Sequence, residues 1–219
     1  MLALPTTNAP TANATTSAAA ALPFTTGAYG LAPTEPAVCP FTILIDQREG
    51  APYHFTGMFG EEQEINPGPA FEFRSLTADS KQKHKPLFVA TKTVHLITAD
   101  YSIDGWYENK GICIERKSKD DLFGTLGQGR ERFEREHERM MEFEFAAVVI
   151  ECGLHDAMLD PPVWSSLKVE SVMGYAVSWP RRFGVHWIWA GSRAAAEVFT
   201  FKMLEKFWKE KQEAGKKQK

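Results

Sequence analysis

The chain predicts an α/β domain with a mixed central sheet flanked by helices, and two features of the sequence lead to that prediction. Apolar runs of strand length alternate with longer amphipathic segments from about residue 41 to residue 211. The chain has 219 residues, 43% of them hydrophobic, which is enough for one well-buried domain. We therefore expect an ordered domain over 39–211, a disordered Ala/Thr/Pro-rich tail over 1–38 and a disordered lysine-rich tail over 212–219.

The strands are predicted from apolar runs that end in turn-forming residues. The first run stops in the charged turn Asp46–Gly50, and residues 51–92 read mostly as loop, with short strands near 53–55 and 71–73. The second and third runs are joined by Asp-Gly and Asn-Lys-Gly clusters. Strands are predicted at 41–46, 94–98, 111–116, 145–151 and 185–190.

The helices are predicted from caps and amphipathic periodicity. Ser118 or Asp120 can cap the first helix, which ends before the glycines of 127–129. The third helix is expected to end at Pro180, because proline lacks the N–H that a helix interior requires. Helices are predicted at 118–126, 130–143, 165–178 and 193–211.

The net charge, the cysteines and the hydropathy of the chain argue against several classes of protein. The formal net charge is −3, so affinity for nucleic acid would have to come from local clusters of Lys and Arg. The three cysteines form no CxxC pair, which argues against a zinc site and a secreted disulfide framework. Residues 1–38 contain no Lys or Arg, so we expect no signal or transit peptide. The sequence has no run of about 18 apolar residues, so we expect no membrane span. The expected location is cytoplasmic, nucleoid-associated if the source is bacterial.

The stretch from Ala99 to Asp121 carries the most specific signal. Asp100 belongs to one short strand and Glu115 and Lys117 to the next. Strand periodicity puts Glu115 and Lys117 on one face and Arg116 on the other. Two acids and a lysine in this arrangement are typical of sites where Mg²⁺ or Mn²⁺ promotes phosphodiester hydrolysis. The pattern therefore predicts a metal-dependent nuclease.

The same residues resemble a known family. An Asp, a variable gap, Glu-Arg-Lys, three residues and a second Asp form the signature of the XPF-type structure-specific endonucleases (ERCC4 domain), matched here by Asp100, Glu115, Arg116, Lys117 and Asp121. The strand ending Asp-x-Arg-Glu at 46–49 and the Gly-Arg turn at 129–130 also agree with it. The resemblance implies a restriction-endonuclease-like fold and cleavage of branched, flapped or junction DNA by a stand-alone nuclease of the bacterial or phage type.

The metal ligands and catalytic groups can be assigned as expectations. Asp100 and Glu115 are expected to bind Mg²⁺ or Mn²⁺ directly, with the backbone carbonyl of Arg116 as a third ligand. Lys117 is expected to orient the attacking water or to stabilise charge on the phosphate. Asp46 and Glu49 are expected to hold a second metal ion or its waters, with a local ion pair at the strand end as the alternative.

The remaining charged residues have less specific roles. Asp121 is expected to pair with Lys117 or with Arg116, and all three are candidate catalytic residues. For Arg116 a structural salt bridge is at least as plausible as a phosphate contact. The expected contacts to the DNA backbone are the three basic residues that flank these motifs, namely Arg130, Arg48 and Lys119.

Two functions from different classes stay open on the sequence. One is an active metal-dependent DNA endonuclease, and the other is a catalytically silent DNA-end or partner-binding module with the same fold. The intact Asp100, Glu115, Lys117 and Asp121 favour the first. Ala99 departs from the family pattern, which has glycine before the aspartate.

Apolar residues outside the motif suggest packing and assembly. The apolar residues of the last helix cover more of its circumference than one sheet needs, so we expect a homodimer, unless the loop 51–92 covers them. His137 is expected to be a half-buried core residue. The tryptophans are expected to be core or interface residues, with base stacking a minor alternative. The helix residues concerned are Val198, Phe199, Met203 and Phe207, and the tryptophans are Trp164, Trp179, Trp187, Trp189 and Trp208.

Overall fold

The computed structural model describes residues 37–56, residue 58 and residues 87–217. The predicted disordered tail 1–38 lies outside this part of the chain except for its last two residues, and the predicted strand near 71–73 lies wholly outside it. No helix within the described ranges is long and apolar enough to cross a membrane.

Within the described residues six strands form one sheet, and the predicted mixed sheet flanked by helices is confirmed. Five strands run parallel, since β3 alone is antiparallel to both of its neighbours. The carboxyl ends of those five strands and the start of β3 therefore meet at one edge. The strands are β1 Ala37–Asp46, β2 Leu87–Val94, β3 Tyr101–Ile103, β4 Ile112–Lys117, β5 Phe145–Ile150 and β6 His186–Trp189, in the order β2-β1-β3-β4-β5-β6.

In the part of the chain that the structure describes, five helices cover the two faces of the sheet. One face packs Leu122, Phe133 and Val172 against Val148, so α1, α2 and α4 lie on it. The other face packs Phe201 and neighbouring residues of α5 against the alternate residues of the same strands. The helices are α1 Lys119–Leu126, α2 Arg130–Met140, α3 Leu154–Leu159, α4 Val169–Phe183 and α5 Arg193–Lys217.

The second strand differs from its prediction. The structure places β2 at Leu87–Val94, before the predicted segment, and residues 95–98 form a turn instead. β2 is an edge strand with mostly exposed or half-buried side chains, so it lacks an apolar signal. The turn is held at Leu96, whose N–H donates to the carboxylate of Asp46 at 3.1 Å. The predicted short strand near 53–55 is likewise wrong, since those residues have no regular secondary structure.

Several helix boundaries also differ. Helix α2 ends at Met140 rather than 143, and α4 begins at Val169 rather than 165. Pro180 does not end α4, which continues through Phe183 to Gly184, a C-cap with φ of 65°. The buried side chains of Trp179 and Phe183 hold this last turn against the core, which offsets the hydrogen bond lost at the proline. Helix α5 extends to Lys217, so the prediction of disorder from residue 212 is wrong for residues 212–217. The short helix α3 was not predicted at all.

Candidate active site

The predicted metal ligands lie at the edge of the sheet where the parallel strands end. Asp46 and Lys117 are the last residues of β1 and β4, and Asp100 directly precedes β3. Ligands commonly bind at this edge in open α/β sheets because loops converge there from neighbouring strands. The β-pairing therefore brings Asp100 next to β4, although 14 residues of sequence lie between it and Glu115.

Asp100 is held on β4 by two hydrogen bonds, one from its backbone N–H and one to its carboxylate. Its N–H donates to the carbonyl of Ile114 at 3.0 Å, and its carboxylate accepts the N–H of Arg116 at 2.7 Å. Burial, then the repulsion from Glu115, raises the pKa of Asp100 well above its ordinary value. Glu115 is itself only 5% exposed. Two acids thus share one buried pocket, an arrangement that favours a bound cation.

Lys117 lies directly against Glu115, as strand periodicity predicted. Its Nζ is 2.5 Å from the Glu115 carboxylate and 5.0 Å from the centre of the Phe133 ring. Burial by itself lowers the pKa of Lys117, but the attraction of Glu115, Glu136 and Asp100 outweighs this effect and raises it. The lysine is therefore held as a charged ammonium beside the carboxylates.

Glu136 is a member of this group that the sequence analysis missed. Burial, then repulsion from Glu115, raises the pKa of Glu136 to about 7, while Lys117 and a hydrogen bond from the Ala99 N–H act against the rise. The signal was helical periodicity: Glu136 follows the buried Phe133 by three residues and precedes the buried Met140 by four. This periodicity is difficult to recognise because charged residues dominate the sequence of α2.

Arg116 does not join the carboxylate group, and its predicted catalytic role is not supported by its position. Its side chain points to the opposite face of β4, where Nε and Nη2 donate to the two carboxylate oxygens of Glu151 at 2.7 and 2.9 Å. Nη1 donates to Glu49 at 3.2 Å. The side chain is 9% exposed. The structural salt bridge considered from the sequence is what the structure shows.

Glu49 and Asp46 are not placed as second metal ligands. Glu49 faces Arg116, and its carboxylate also accepts the N–H of Ala51 at 2.6 Å. The buried carboxylate of Asp46 accepts hydrogen bonds from Arg48 Nε at 2.7 Å and from the Leu96 N–H. The alternative considered for both residues, a local ion pair at the strand end, is observed for Asp46 with Arg48, whereas Glu49 pairs with the distant Arg116 of β4.

Asp121 and the three basic residues are engaged in surface contacts. Asp121 lies in the first turn of α1, where its N–H donates to the hydroxyl of the N-cap Ser118 and its carboxylate accepts that hydroxyl at 2.6 Å. The expected pairing with Lys117 or Arg116 is therefore replaced by a cap. Lys119 pairs with Asp160 at 2.6 Å, Arg48 pairs with Asp46, and Arg130 is fully exposed beside the Tyr175 hydroxyl.

The apolar residues are used differently from the prediction. Phe207 is buried and Val198 and Met203 pack partly against the sheet, which leaves Phe199, at 43% exposed, as the outward residue of the predicted patch. His137 is a core residue, as predicted, but fully buried: Trp187 Nε1 donates to His137 Nε2 at 3.0 Å. Trp164 is not a core residue, since 58% of its surface is exposed.

The donor set at the sheet edge fits a divalent cation of the magnesium type. Mg²⁺ is usually bound by one or two carboxylates, with waters and substrate phosphates completing its shell. Asp100 and Glu115 supply two such carboxylates, and their mutual repulsion is the kind of interaction that a cation relieves. Within the described residues no three Asp, Glu, His or Cys side chains converge closely enough to form a complete protein cage.

Comparisons with known proteins give one matching family and two similar solved structures. A family model, the ERCC4 domain, matches residues 62–203. XPF from Aeropyrum pernix has a similar structure, with 15% identity and a TM-score of 0.45 over 76% of this chain and 62% of that one. The same protein in complex with DNA gives 16% identity and a TM-score of 0.46 over 78% and 66%. This chain thus spans less than two thirds of the length of either structure.

No curated protein sequence matches the chain significantly. The family match nevertheless covers well over half of the 219 residues and includes Asp100, Glu115, Lys117 and Glu136. The chain therefore belongs to the ERCC4 domain family.

Proposed function

We propose that this protein is a metal-dependent DNA endonuclease whose reaction centre is built on Asp100, Glu115 and Lys117. The observation that carries the proposal is the buried carboxylate pair at the carboxyl edge of the sheet, with one ammonium against it. Buried like charges destabilise a fold, so a pair of carboxylates at the ends of neighbouring strands argues for function rather than packing. Membership in the ERCC4 domain family supports the same assignment.

Asp100 and Glu115 would hold Mg²⁺ or Mn²⁺, with the backbone carbonyl of Arg116 as a further ligand. When bound, such an ion neutralises the phosphate and lowers the pKa of a coordinated water. The hydrogen bond from the Arg116 N–H keeps the Asp100 carboxylate oriented toward β4. Arg116 thereby contributes through its backbone, while its side chain secures the strand from the other face.

Lys117 would act on the phosphate. Its ammonium is already charged and is positioned by Glu115, so it can stabilise negative charge on the non-bridging oxygens without first acquiring a proton. Its location against the Phe133 ring limits competing hydration from that side. The conformations of Glu115 and Lys117 are therefore coupled, and each positions the other.

We propose DNA as the substrate, with branched, flapped or junction forms preferred. The exposed Arg130 and the part-exposed Arg48 and Lys119 are the expected contacts to the phosphate backbone. Because the last two are ion-paired in the free protein, phosphates would have to compete with Asp46 and Asp160 for them. Arg130 should therefore contribute more to DNA affinity than either of them.

The test is cleavage of labelled duplex, flap, single-strand/duplex junction and four-way DNA with Mg²⁺, with Mn²⁺ and with EDTA. We expect cleavage with either metal ion and none with EDTA. Binding of the same substrates without cleavage under any metal condition would instead identify a catalytically silent DNA-binding module. Cleavage that is undiminished by EDTA would contradict the role assigned to Asp100 and Glu115.

We also propose that two copies pair through the outer face of α5, at Phe199. The substitution to use is Phe199→Glu, because Phe207 is buried and its replacement by Glu would unfold the domain. Light scattering at micromolar concentration should show a dimer for the natural chain and a monomer for the variant. A natural chain that is monomeric at every concentration would refute the pairing.

A further inference from the structure

A cleft of about 450 Å³ lies beside α1, outside the carboxylate site. One wall is formed by α1 and the turn that follows it, including Gly124, Gly127 and Gln128. The other wall is the segment from Trp164 to Lys168 that leads into α4. The volume lies within the range of small-ligand sites, which is about 300–1,000 Å³. The mechanism described above uses none of its lining residues.

Trp164 presents an aromatic surface at this cleft. The side chain is 58% exposed, and the far end of its ring lies over Gly124 of α1. An exposed tryptophan on a loop has no packing role to explain it, since burying its ring would have been favourable. A planar apolar partner would cover the ring that the domain itself leaves exposed.

The loop that carries Trp164 is held in place rather than left free. Asp160 at its start pairs with Lys119 on α1 at 2.6 Å. The Ser165 N–H donates to the carbonyl of Pro162 at 2.9 Å, and the Leu167 N–H donates to the Ser165 hydroxyl at 3.2 Å. These bonds give the tryptophan a defined position relative to α1. A preformed platform loses little conformational entropy when a ligand stacks on it.

On the wall opposite Trp164, Gly124 of α1 has no side chain to occupy the cleft. Gly124 stands inside an eight-residue helix, where glycine is less favourable than alanine by about 0.5–1 kcal/mol. A Cβ there would meet Trp164 at 3.8 Å, an ordinary contact, so backbone strain does not require the glycine. Its effect is to leave the space beside the ring empty. A larger side chain at this position would fill part of the cleft.

The polar lining suits a nucleotide. Gln128, Ser165 and Ser166 offer donors and acceptors for the edge of a base, and Lys168 offers a positive charge for a phosphate. The cleft is also close to the reaction centre. Helix α1 begins two residues after Lys117, and its eight residues span about 12 Å at 1.5 Å per residue. A strand that passes the carboxylates can therefore reach the cleft within a few nucleotides.

We infer that this cleft binds one unpaired base of single-stranded DNA, stacked on Trp164, next to the strand being cut. Aromatic stacking accepts any base, because every base has a π face, so the site would recognise the absence of pairing rather than a sequence. A base within a duplex is covered by its neighbours and cannot stack there. The inference rests on the proposed nuclease function only in taking DNA as the ligand.

The test measures binding without cleavage. The probes are a short fluorescein-labelled oligothymidylate and an abasic strand of equal length, titrated by fluorescence anisotropy in EDTA. Trp164→Ala should weaken binding of the oligothymidylate at least about five-fold and leave the abasic strand unaffected. Trp164→Phe should retain most of the affinity. Phe88→Ala, which removes an equally exposed aromatic ring from β2, is the matched control and should behave like the natural protein.

Gly124→Leu provides a second variant that keeps the tryptophan. Leucine favours helix more than glycine does, so the variant should fold, and by filling the cleft it should cause the same loss for the oligothymidylate. Equal losses for both probes, or no loss with either variant, would overturn the inference. A change in oligomeric state by light scattering without a change in DNA affinity would also overturn it and would indicate a protein partner instead.

The outcome is separable from that of the proposed function. A protein that fails to cleave any DNA but discriminates the two probes through Trp164 would disprove the nuclease proposal and retain the base site. If the natural protein cleaves DNA with Mg²⁺ while the Trp164→Ala variant binds both probes normally, the nuclease proposal is retained and the base site is disproved.

Discussion

Arg116 of β4 and Glu151, which directly follows β5, form a bidentate ion pair with Nε–Oε1 and Nη2–Oε2 distances of 2.7 and 2.9 Å. Arg193 of α5 joins the same carboxylate at 2.9 Å. This network lies on the face opposite to Glu115 and Lys117. The three residues of the Glu-Arg-Lys signature therefore lie on two faces of the sheet. Glu115 and Lys117 face the reaction centre, and the side chain of Arg116 stabilises β4 from the opposite face.

A structural role for the Arg116 side chain predicts a particular pattern of stability. Arg116→Met and Glu151→Met should each lower the free energy of unfolding by about 1.5–3 kcal/mol, because each removes charged hydrogen bonds while Arg193 still pairs with Glu151 and Glu49 with Arg116. The double variant should lose clearly less than the sum of the two. Urea denaturation measures all three. An Arg116→Met variant that is stable yet inactive would show that its side chain takes part in catalysis.

The carboxylate pair predicts loss of activity without loss of folding. Asp100→Asn and Glu115→Gln should abolish cleavage, since each removes a negatively charged metal ligand. Asp100→Asn should also raise the melting temperature, because the natural carboxyl has a raised pKa and its ionised form is disfavoured by burial. Asparagine can still accept the Arg116 N–H. Cleavage at the natural rate by either variant would exclude the assignment.

Ala99 occupies a strained backbone position beside Asp100. Its φ is +64°, in the left-handed region that costs an L-residue about 1–2 kcal/mol and that glycine adopts freely. This explains why the family pattern has glycine there. Ala99→Gly should keep full cleavage activity and change the free energy of unfolding by no more than about 1 kcal/mol, because relief of strain offsets the added flexibility.

The matched variant Ala99→Val should behave differently. A β-branched side chain is poorly accommodated at positive φ, and this position is buried, so we expect a loss of at least about 2 kcal/mol together with slower cleavage. Thermal unfolding and cleavage rates under one set of conditions compare the three proteins. Equal stability of the valine and glycine variants would show that the turn is not strained.

His137 predicts a dependence of stability on pH. Burial lowers the pKa of His137 to about 4, against about 6.5 in the unfolded chain. Protonation therefore favours the unfolded state, and stability present above pH 6.5 should fall as the pH falls toward 4. The full effect is roughly 3 kcal/mol at 1.36 kcal/mol per pKa unit.

The control for this prediction is His137→Gln, which does not titrate and can still accept the Trp187 N–H. Asp100 and Glu136 have raised pKa values and act in the opposite direction, gaining stability on acidification, so the comparison between the two proteins is what isolates the histidine. Urea denaturation at pH 7 and pH 5 should show a greater loss for the natural protein. Identical losses would contradict a buried neutral imidazole.

Local patterns in the sequence determined most of the secondary structure and one pair in the site. The Ala-Ala-Val-Val-Ile run predicted β5, Ser118 predicted the start of α1, and the period of two placed Glu115 beside Lys117. Each of these features depends on residues within a few positions of one another. Their physical causes, capping and side-chain alternation, can therefore be inferred from a short stretch of chain.

The tertiary structure decided which distant side chains meet. Arg116 finds Glu151 35 residues away, and Glu136 approaches the carboxylates only because α2 packs over the end of β4. Asp46 and Glu49 looked like metal ligands from their position at a strand end, yet neighbouring groups engage both. Periodicity gives the face on which a side chain lies but not its partner. That choice depends on strand order and helix packing, which act on the chain as a whole.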